Sequence, residues 1–328
     1  MAFFSDSDIA STNKAGLRSR NAQPMLTESR APTPAGTPFD LGGTQAYETW
    51  RGWKFADYPK TAADLIVEVR DPLCLTVAEH KAIIEHCYKA NMALYACLGG
   101  DIGSKETVAR LGQQFGLRHL DNNLCADNDS ITSVRVMPSG RQHEYIPYSD
   151  RPLRWHTDGY YNRPQQQIQA FIMHCVRDAD SGGENALLDP EIVYLLVRDE
   201  NPAYVRALMQ PDAMTIPANV EQGIEIRGAE SGPVFSVDTN TGALHMRYTA
   251  RRRSILWKND PVLRAAVCFL EDMLSGDCPY ILRHCLKPGQ GLICNNVLHT
   301  RAGFKDDTTT DHGRLLYRAR YYDRIVGT

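Results

Sequence analysis

No stretch of the 328 residues reaches the apolar length, about 18 residues, that a membrane-spanning helix needs. The first ten residues, MAFFSDSDIA, set two aromatics among acidic residues and have neither a basic n-region nor an apolar h-region. A soluble, cytoplasmic protein is the expectation. The nine cysteines are odd in number and irregular in spacing, and no C-x-x-C pair occurs. That excludes a recognisable disulfide framework or structural zinc site and leaves small buried thiols in a reducing compartment. Neither G-x-G-x-x-G nor G-x-x-x-x-G-K-[ST] is present, so dinucleotide-binding and P-loop folds lack their signatures. No internal repeat is visible. There is no basic tract: the formal charge is -3, and the densest cluster, Arg251, Arg252 and Arg253, reads as a solvated face. Nucleic acid and membrane are not expected partners. A small molecule is, with self-association left open.

What is present begins with composition: 43% hydrophobic and 23% charged, enough for a large core. Residues 1 to about 45, centred on RAPTPAGTP, read as a flexible arm. Residues 46–328 then form a single domain with a helical part over about 60–125. Trp50, Trp53, Phe55 and Tyr58 read as a packing anchor. A helix is expected from about Thr76 to Leu98, opened by the Thr76–Glu79 capping box and stopped by Gly99 and Gly100. A second should run from Ser104 to Gly116. Beyond residue 130, ITSVRVMP, QIQAFIMHCV, PVFSVD, GALHMRY, QGLICNNVLH and RLLYRARYY read as strands. DPEIVYLLVRDE and NDPVLRAAVCFLEDML read as helices, the latter framed by Pro261 and Gly276. The expected class is mainly β with flanking helices.

Three segments could carry chemistry. In RWHTDGYYN, His156 and Asp158 are two apart, so on a strand they share a face and can reach one ion. In CNNVLHTRAGF, His299 follows the apolar run GLIC and could add a second imidazole. Two histidines and one carboxylate form the facial triad of non-haem Fe(II) oxygenases, although zinc accepts the same ligands. In GRLLYRARYYDRI, Arg314, Arg318 and Arg320 share a strand face and could fork onto a carboxylate.

With those blocks in hand, the sequence resembles the TauD/TfdA-type Fe(II)/2-oxoglutarate dioxygenases and the related γ-butyrobetaine and glutarate hydroxylases. WHTDG, SGGENALLD, NNVLHTRAGF and RLLYRARYYDR occur in the family's order, and the resemblance covers roughly residues 130–325. It implies iron ligands His156, Asp158 and His299. It implies that Arg318 binds the distal carboxylate of 2-oxoglutarate, with Arg314 near the inner carboxylate or the substrate. Asn185 stands where the family often has threonine, and its amide can still donate to a carboxylate oxygen. The implied fold is a double-stranded β-helix, a jelly-roll relative. The implied reaction consumes Fe(II)-bound 2-oxoglutarate and O₂, releases succinate and CO₂, and hydroxylates the substrate. Because Asp158 is kept, hydroxylation is favoured over the halogenation of relatives that lack this carboxylate.

The substrate is less sharply marked. Arg154, Tyr160 and Arg247 are the candidate contacts, and they favour a small metabolite bearing a carboxylate or sulfonate. HMRY at 245–248 resembles a segment of the glutarate hydroxylases. A betaine or a larger amino-acid derivative is the alternative, since tyrosine-rich stretches permit an aromatic cage. A zinc hydrolase would need a general base beside the metal water, and no motif places one. A non-catalytic jelly-roll binding protein would have no reason to keep paired arginines beside a triad.

Overall fold

The computed structural model describes residues 36–122, 127–306 and 313–328, apart from 252 and 254. Most of the expected N-terminal arm, and Cys125, lie outside these residues. Where description begins, Phe39 is buried edge-on against Trp50 and Tyr194. Helix α1 (Thr44–Phe55) follows.

The capping box at Thr76 is fully formed: Thr76 Oγ1 accepts from the Glu79 amide at 3.3 Å, and Glu79 Oε2 accepts from the Thr76 amide at 2.7 Å. Helix α2, however, spans only Val77–Ala90. Asn91 ends it in the left-handed conformation (φ 56), its side-chain amide donating to Asp189 at 2.9 Å. The residues expected to continue the helix instead form a buried strand, Met92–Cys97. A tertiary anchor on Asn91 here overrides helical periodicity. Helix α3 (Lys105–Gln114) begins at the Ser104 cap as expected. The remaining helices are α4 (Pro190–Glu200), α5 (Pro202–Leu208) and α6 (Pro261–Ser275).

Ten strands make the two main sheets. They are β1 (Ile66–Val69), β2 (Met92–Cys97), β3 (Thr132–Val134), β4 (Leu153–His156), β5 (Ala170–Arg177), β6 (Asn185–Leu188), β7 (Leu282–His284), β8 (Gln290–Cys294), β9 (Leu298–Arg301) and β10 (Leu315–Tyr321). The six-stranded sheet runs β1-β2-β8-β5-β10-β3 and the four-stranded sheet β7-β6-β9-β4. Only β1 and β2 pair in parallel.

Strand alternation sorts the larger sheet's side chains into two cores. Ala93, Tyr95, Ile172, Ile293 and Ala319 join Ile83, Cys87, Val108 and Leu111 of α2 and α3. Leu94, Phe171, Leu292 and Leu316 join Leu187, Leu188 and Leu298 of the smaller sheet, with α4 and α6. The two sheets therefore face each other, and the space between them receives the polar residues described next.

The expected double-stranded β-helix is not what forms. The fold is mixed α/β, and among the described residues no sheet closes into a barrel or jelly roll. The segments PVFSVD and GALHMRY supply strands of only three residues, which pair with each other in an isolated ladder. QGLICNNVLH is not one strand but two, β8 and β9, which belong to different sheets. Alternation along a strand tells which residues share a face. It does not tell which edges meet, and the closed form was an implication of resemblance alone. No helix is long and apolar enough to cross a membrane among the described residues.

Candidate active site

The break between β8 and β9 delivers the first ligand. Asn296 turns the chain in the left-handed region (φ 48), and three residues later His299 points inward from β9. Its register partner across the antiparallel pair β9–β4 is His156. Two residues beyond His156, after β4 has ended, Asp158 completes the group. Ligand atoms of His156, Asp158 and His299 all lie within 4.8 Å of one another, and all three residues are buried. Gly159, at φ 67, then turns the chain; a Cβ there would stand 2.4 Å from Ile168 Cγ1.

The histidines are oriented alike. His156 Nδ1 donates to the Arg154 carbonyl at 2.8 Å, and His299 Nδ1 donates to the Val297 carbonyl at 2.9 Å. A carbonyl can only accept, so each ring carries its proton on Nδ1 and keeps the Nε2 lone pair free for a metal. Burial lowers both imidazole pKa values, that of His156 to about 3, favouring the neutral ligating form. Burial opposes ionisation of Asp158, but Arg318 and Arg320 outweigh it and hold the carboxyl below its usual range. Asp158 Oδ2 is buried without a hydrogen-bond partner. An orphaned carboxylate oxygen beside two Nε2 lone pairs fits a divalent cation. Two nitrogens and one oxygen, without thiolate, suit Fe(II).

From the facing sheet, β10 presents Leu316, Arg318 and Arg320 on one face, and Arg314 immediately precedes the strand. All three arginines are buried. Arg318 Nη1 lies 3.4 Å from Asp158 Oδ1. Arg320 pairs with Asp121, donates to the Tyr161 hydroxyl at 3.0 Å and lies 3.9 Å from Asp158 Oδ1. Arg314 lies over the Phe304 ring, 4.9 Å from its centroid, with Gly183 beside its Nε. Burial lowers its pKa.

The remaining expected contacts divide. Asn185, opening β6, donates to the Thr300 carbonyl at 2.9 Å. The Tyr160 ring sits edge-on to His156 at 6.5 Å. Arg154 is exposed on β4, on the side of the strand that His156 occupies. Arg247 is buried and donates to three backbone carbonyls, of Tyr160 (2.7 Å), Met214 (3.0 Å) and Glu230 (2.8 Å).

Two further residues of the NNVLHTRAGF block take roles that the block itself does not mark. Arg301, on β9, donates to the carbonyls of Pro147, Ser149 and Arg151, and burial together with Arg314 lowers its pKa to about 10. Asn296, only 2% exposed, hydrogen-bonds the backbone of Asp158. The available signal is a pair of asparagines directly after the apolar run GLIC and an arginine two residues past the histidine.

The profile of the "Taurine catabolism dioxygenase TauD, TfdA family" matches residues 67–320. A uridine-5'-phosphate dioxygenase from Amycolatopsis sp is 28% identical over 275 residues, covering 78% of this chain and 96% of that protein. One from Streptomyces sp is 27% identical over 224 residues, covering 65% of this chain and 77% of that protein. Among solved structures, asparagine oxygenase in complex with Fe(II), 3-hydroxyasparagine and succinate superposes with a TM-score of 0.55 at 14% identity, over 75% of this chain and 80% of that one.

Proposed function

The chain belongs to the TauD, TfdA family and is a non-haem iron, 2-oxoglutarate-dependent dioxygenase, and on that premise we propose that it oxidises an anionic small molecule, with a phosphorylated nucleoside the leading class. The carrying observation is a surplus of buried positive charge. Among the described residues, Arg301, Arg314 and Arg318 are each at most 7% exposed, and Asp158 is the buried carboxylate paired with one of them, while Asp150 and Asp306, near Arg301 and Arg314, are not buried. A divalent metal adds positive charge, and 2-oxoglutarate cancels only part of the total. Buried charge without compensation is costly, so the substrate should bring the balance. A phosphate monoester does so better than a single carboxylate. The uridine-5'-phosphate dioxygenases, matched over most of their length, support that choice. A larger amino-acid derivative is the second reading, favoured by Arg318 beside Asp158, where a guanidinium suits an α-carboxylate.

Within the site, His156, Asp158 and His299 would hold Fe(II) on one face. The bound metal, 2-oxoglutarate and O₂ supply the oxidising power for C–H hydroxylation, with succinate and CO₂ released. The chain's own task is to orient and to exclude water. Arg318 abuts the ligand set, whereas Arg314 starts four residues away, beside Gly183 and Phe304. A chelating five-carbon diacid ends well beyond the metal's ligand shell. This geometry supports giving its distal carboxylate to Arg314 and the substrate's anionic group to Arg318, the reverse of the sequence expectation. Asn185 keeps a second amide hydrogen for a co-substrate oxygen, and Tyr160 walls the site beside His156.

The test is a turnover panel with anaerobically reconstituted enzyme, following succinate release and a +16 mass product. Nucleoside 5'-phosphates, their parent nucleosides, and free and derivatised amino acids form the panel. A nucleotide turned over at least tenfold faster than its nucleoside supports the proposal. Equal turnover of the two, or turnover of amino acids alone, overturns it.

A further inference from the structure

Two adjacent asparagines, Asn295 and Asn296, fill the turn between β8 and β9 and are both buried. Their side chains serve different ends of the molecule. Asn295 accepts from the Ile325 amide at 3.2 Å and donates to Asn91 Oδ1 at 3.1 Å and Thr328 Oγ1 at 2.8 Å. It ties down the C-terminal tail. Asn296 Oδ1 accepts from the Asp158 amide at 2.8 Å, while its Nδ2 donates to the Asp158 carbonyl at 2.9 Å and the Ile168 carbonyl at 2.7 Å. One amide thus clamps both backbone polar groups of the carboxylate ligand's residue. The next residue, Val297, provides the carbonyl that fixes the His299 ring.

We infer that Asn296 is a positioning residue that sets the spacing between Asp158 and His299, and so the affinity and geometry of the metal site. The reason is geometric. Asp158 follows the end of β4, and no ladder hydrogen bond of β4 fixes its backbone. Without the Asn296 amide, its φ and ψ would be free to carry the carboxylate away from the two Nε2 atoms. The clamp also explains why a left-handed asparagine occupies the turn. Asn tolerates positive φ at modest cost, and its side chain is then free to reach across to the backbone of Asp158 and Ile168. Asn296 touches neither metal nor substrate and acts only through Asp158 and the His299 turn.

The inference rests on the metal-site reading, and the experiment separates the two. Metal-free wild type, Asn296→Asp, Asn296→Ala and Asn295→Ala are titrated anaerobically with Co(II), whose ligand-field bands report affinity and coordination geometry. Thermal unfolding of the metal-free proteins is measured in parallel. Failure of the wild type to bind Co(II) refutes the metal site itself. If the wild type binds, Asn296→Asp should weaken Co(II) at least tenfold and alter the bands; it keeps the left-handed preference and an acceptor for the Asp158 amide but loses both donors. Asn295→Ala should lose thermal stability yet keep wild-type affinity and bands. Wild-type Co(II) behaviour in Asn296→Asp overturns the inference, as does an equal loss of affinity in Asn295→Ala. Should Asn296→Ala not fold, the aspartate variant carries the test.

Discussion

His156 and His299 are direct register partners across β4 and β9, with ring centroids 4.2 Å apart and each Nδ1 tied to the carbonyl two residues earlier. A strand pair holds its opposite residues at fixed spacing, so the bite between the two imidazoles is a property of the sheet. Either histidine changed to alanine should therefore lose the metal while the sheet survives. The loss should exceed the roughly 10–100-fold typical of removing an outer-shell partner. Metal analysis after anaerobic loading, with circular dichroism as a folding control, checks this. Full iron stoichiometry in His299→Ala would show that the ligand lies elsewhere.

Arg314 and Arg318 should separate in kinetics. Removing Arg314 leaves a buried 2-oxoglutarate carboxylate without its charged partner, at about 3–5 kcal/mol if fully desolvated. The apparent KM for 2-oxoglutarate in Arg314→Ala should rise at least tenfold. Arg318→Ala should chiefly raise the KM for the oxidised substrate. The opposite pattern would restore the distal carboxylate to Arg318, as the family resemblance implied.

The site was legible in sequence to an uneven degree. H-x-D and the later histidine stand out because metal ligation restricts both residue type and spacing, although β4 ends at His156 and Asp158 joins the group from beyond the strand rather than by strand periodicity. The capping box at Thr76 and the proline-started helices α4 and α6 were equally plain, because their signals are local. The end of α2 was not. Asn91 stops that helix through a hydrogen bond to Asp189, 98 residues away in sequence. Sheet closure failed for the same reason, since edge pairing is set by tertiary contacts. Arg247 shows a limit of another kind: a buried guanidinium donating to carbonyls and one waiting for a ligand look identical in a sequence.

Lys54 should be a large contributor to stability. It is fully buried, 2.7 Å from Asp189 and 2.5 Å from Glu191, and joins α1 to the start of α4. Burial alone would depress its pKa, but the two carboxylates outweigh that and raise it. A raised lysine contributes fully below its unfolded value, near 10.5, and the contribution is lost as pH climbs through the higher folded value. Lys54→Met should cost about 3–5 kcal/mol at pH 7, because two acids lose their buried partner. Urea unfolding at pH 7 and pH 11 checks the sign: the gap between wild type and variant should narrow at the alkaline end. A gap that widens with pH would mean the lysine is not the charged partner.

Arg247 decides between a substrate contact and a backbone clamp. Its Nε and both terminal nitrogens donate to the carbonyls of Tyr160, Met214 and Glu230, and these segments converge from three distant parts of the chain. Gly232 lies so close that an added Cβ would stand 3.2 Å from Arg247 Nη1, so the guanidinium is enclosed by backbone. Each carbonyl left buried and unpaired costs about 1–3 kcal/mol. Arg247→Ala should therefore destabilise the fold by several kcal/mol, as read from the urea midpoint. It should also loosen Tyr160, whose ring stands edge-on to His156. Turnover should fall, while the KM for the oxidised substrate should change less than in Arg318→Ala. Arg247→Lys is the sharper probe. An ammonium keeps the charge but cannot span three carbonyls in the guanidinium's planar geometry. If charge recognition of the substrate were the role, the lysine variant would keep most of its affinity and stability. If the clamp is the role, it should lose nearly as much stability as the alanine variant.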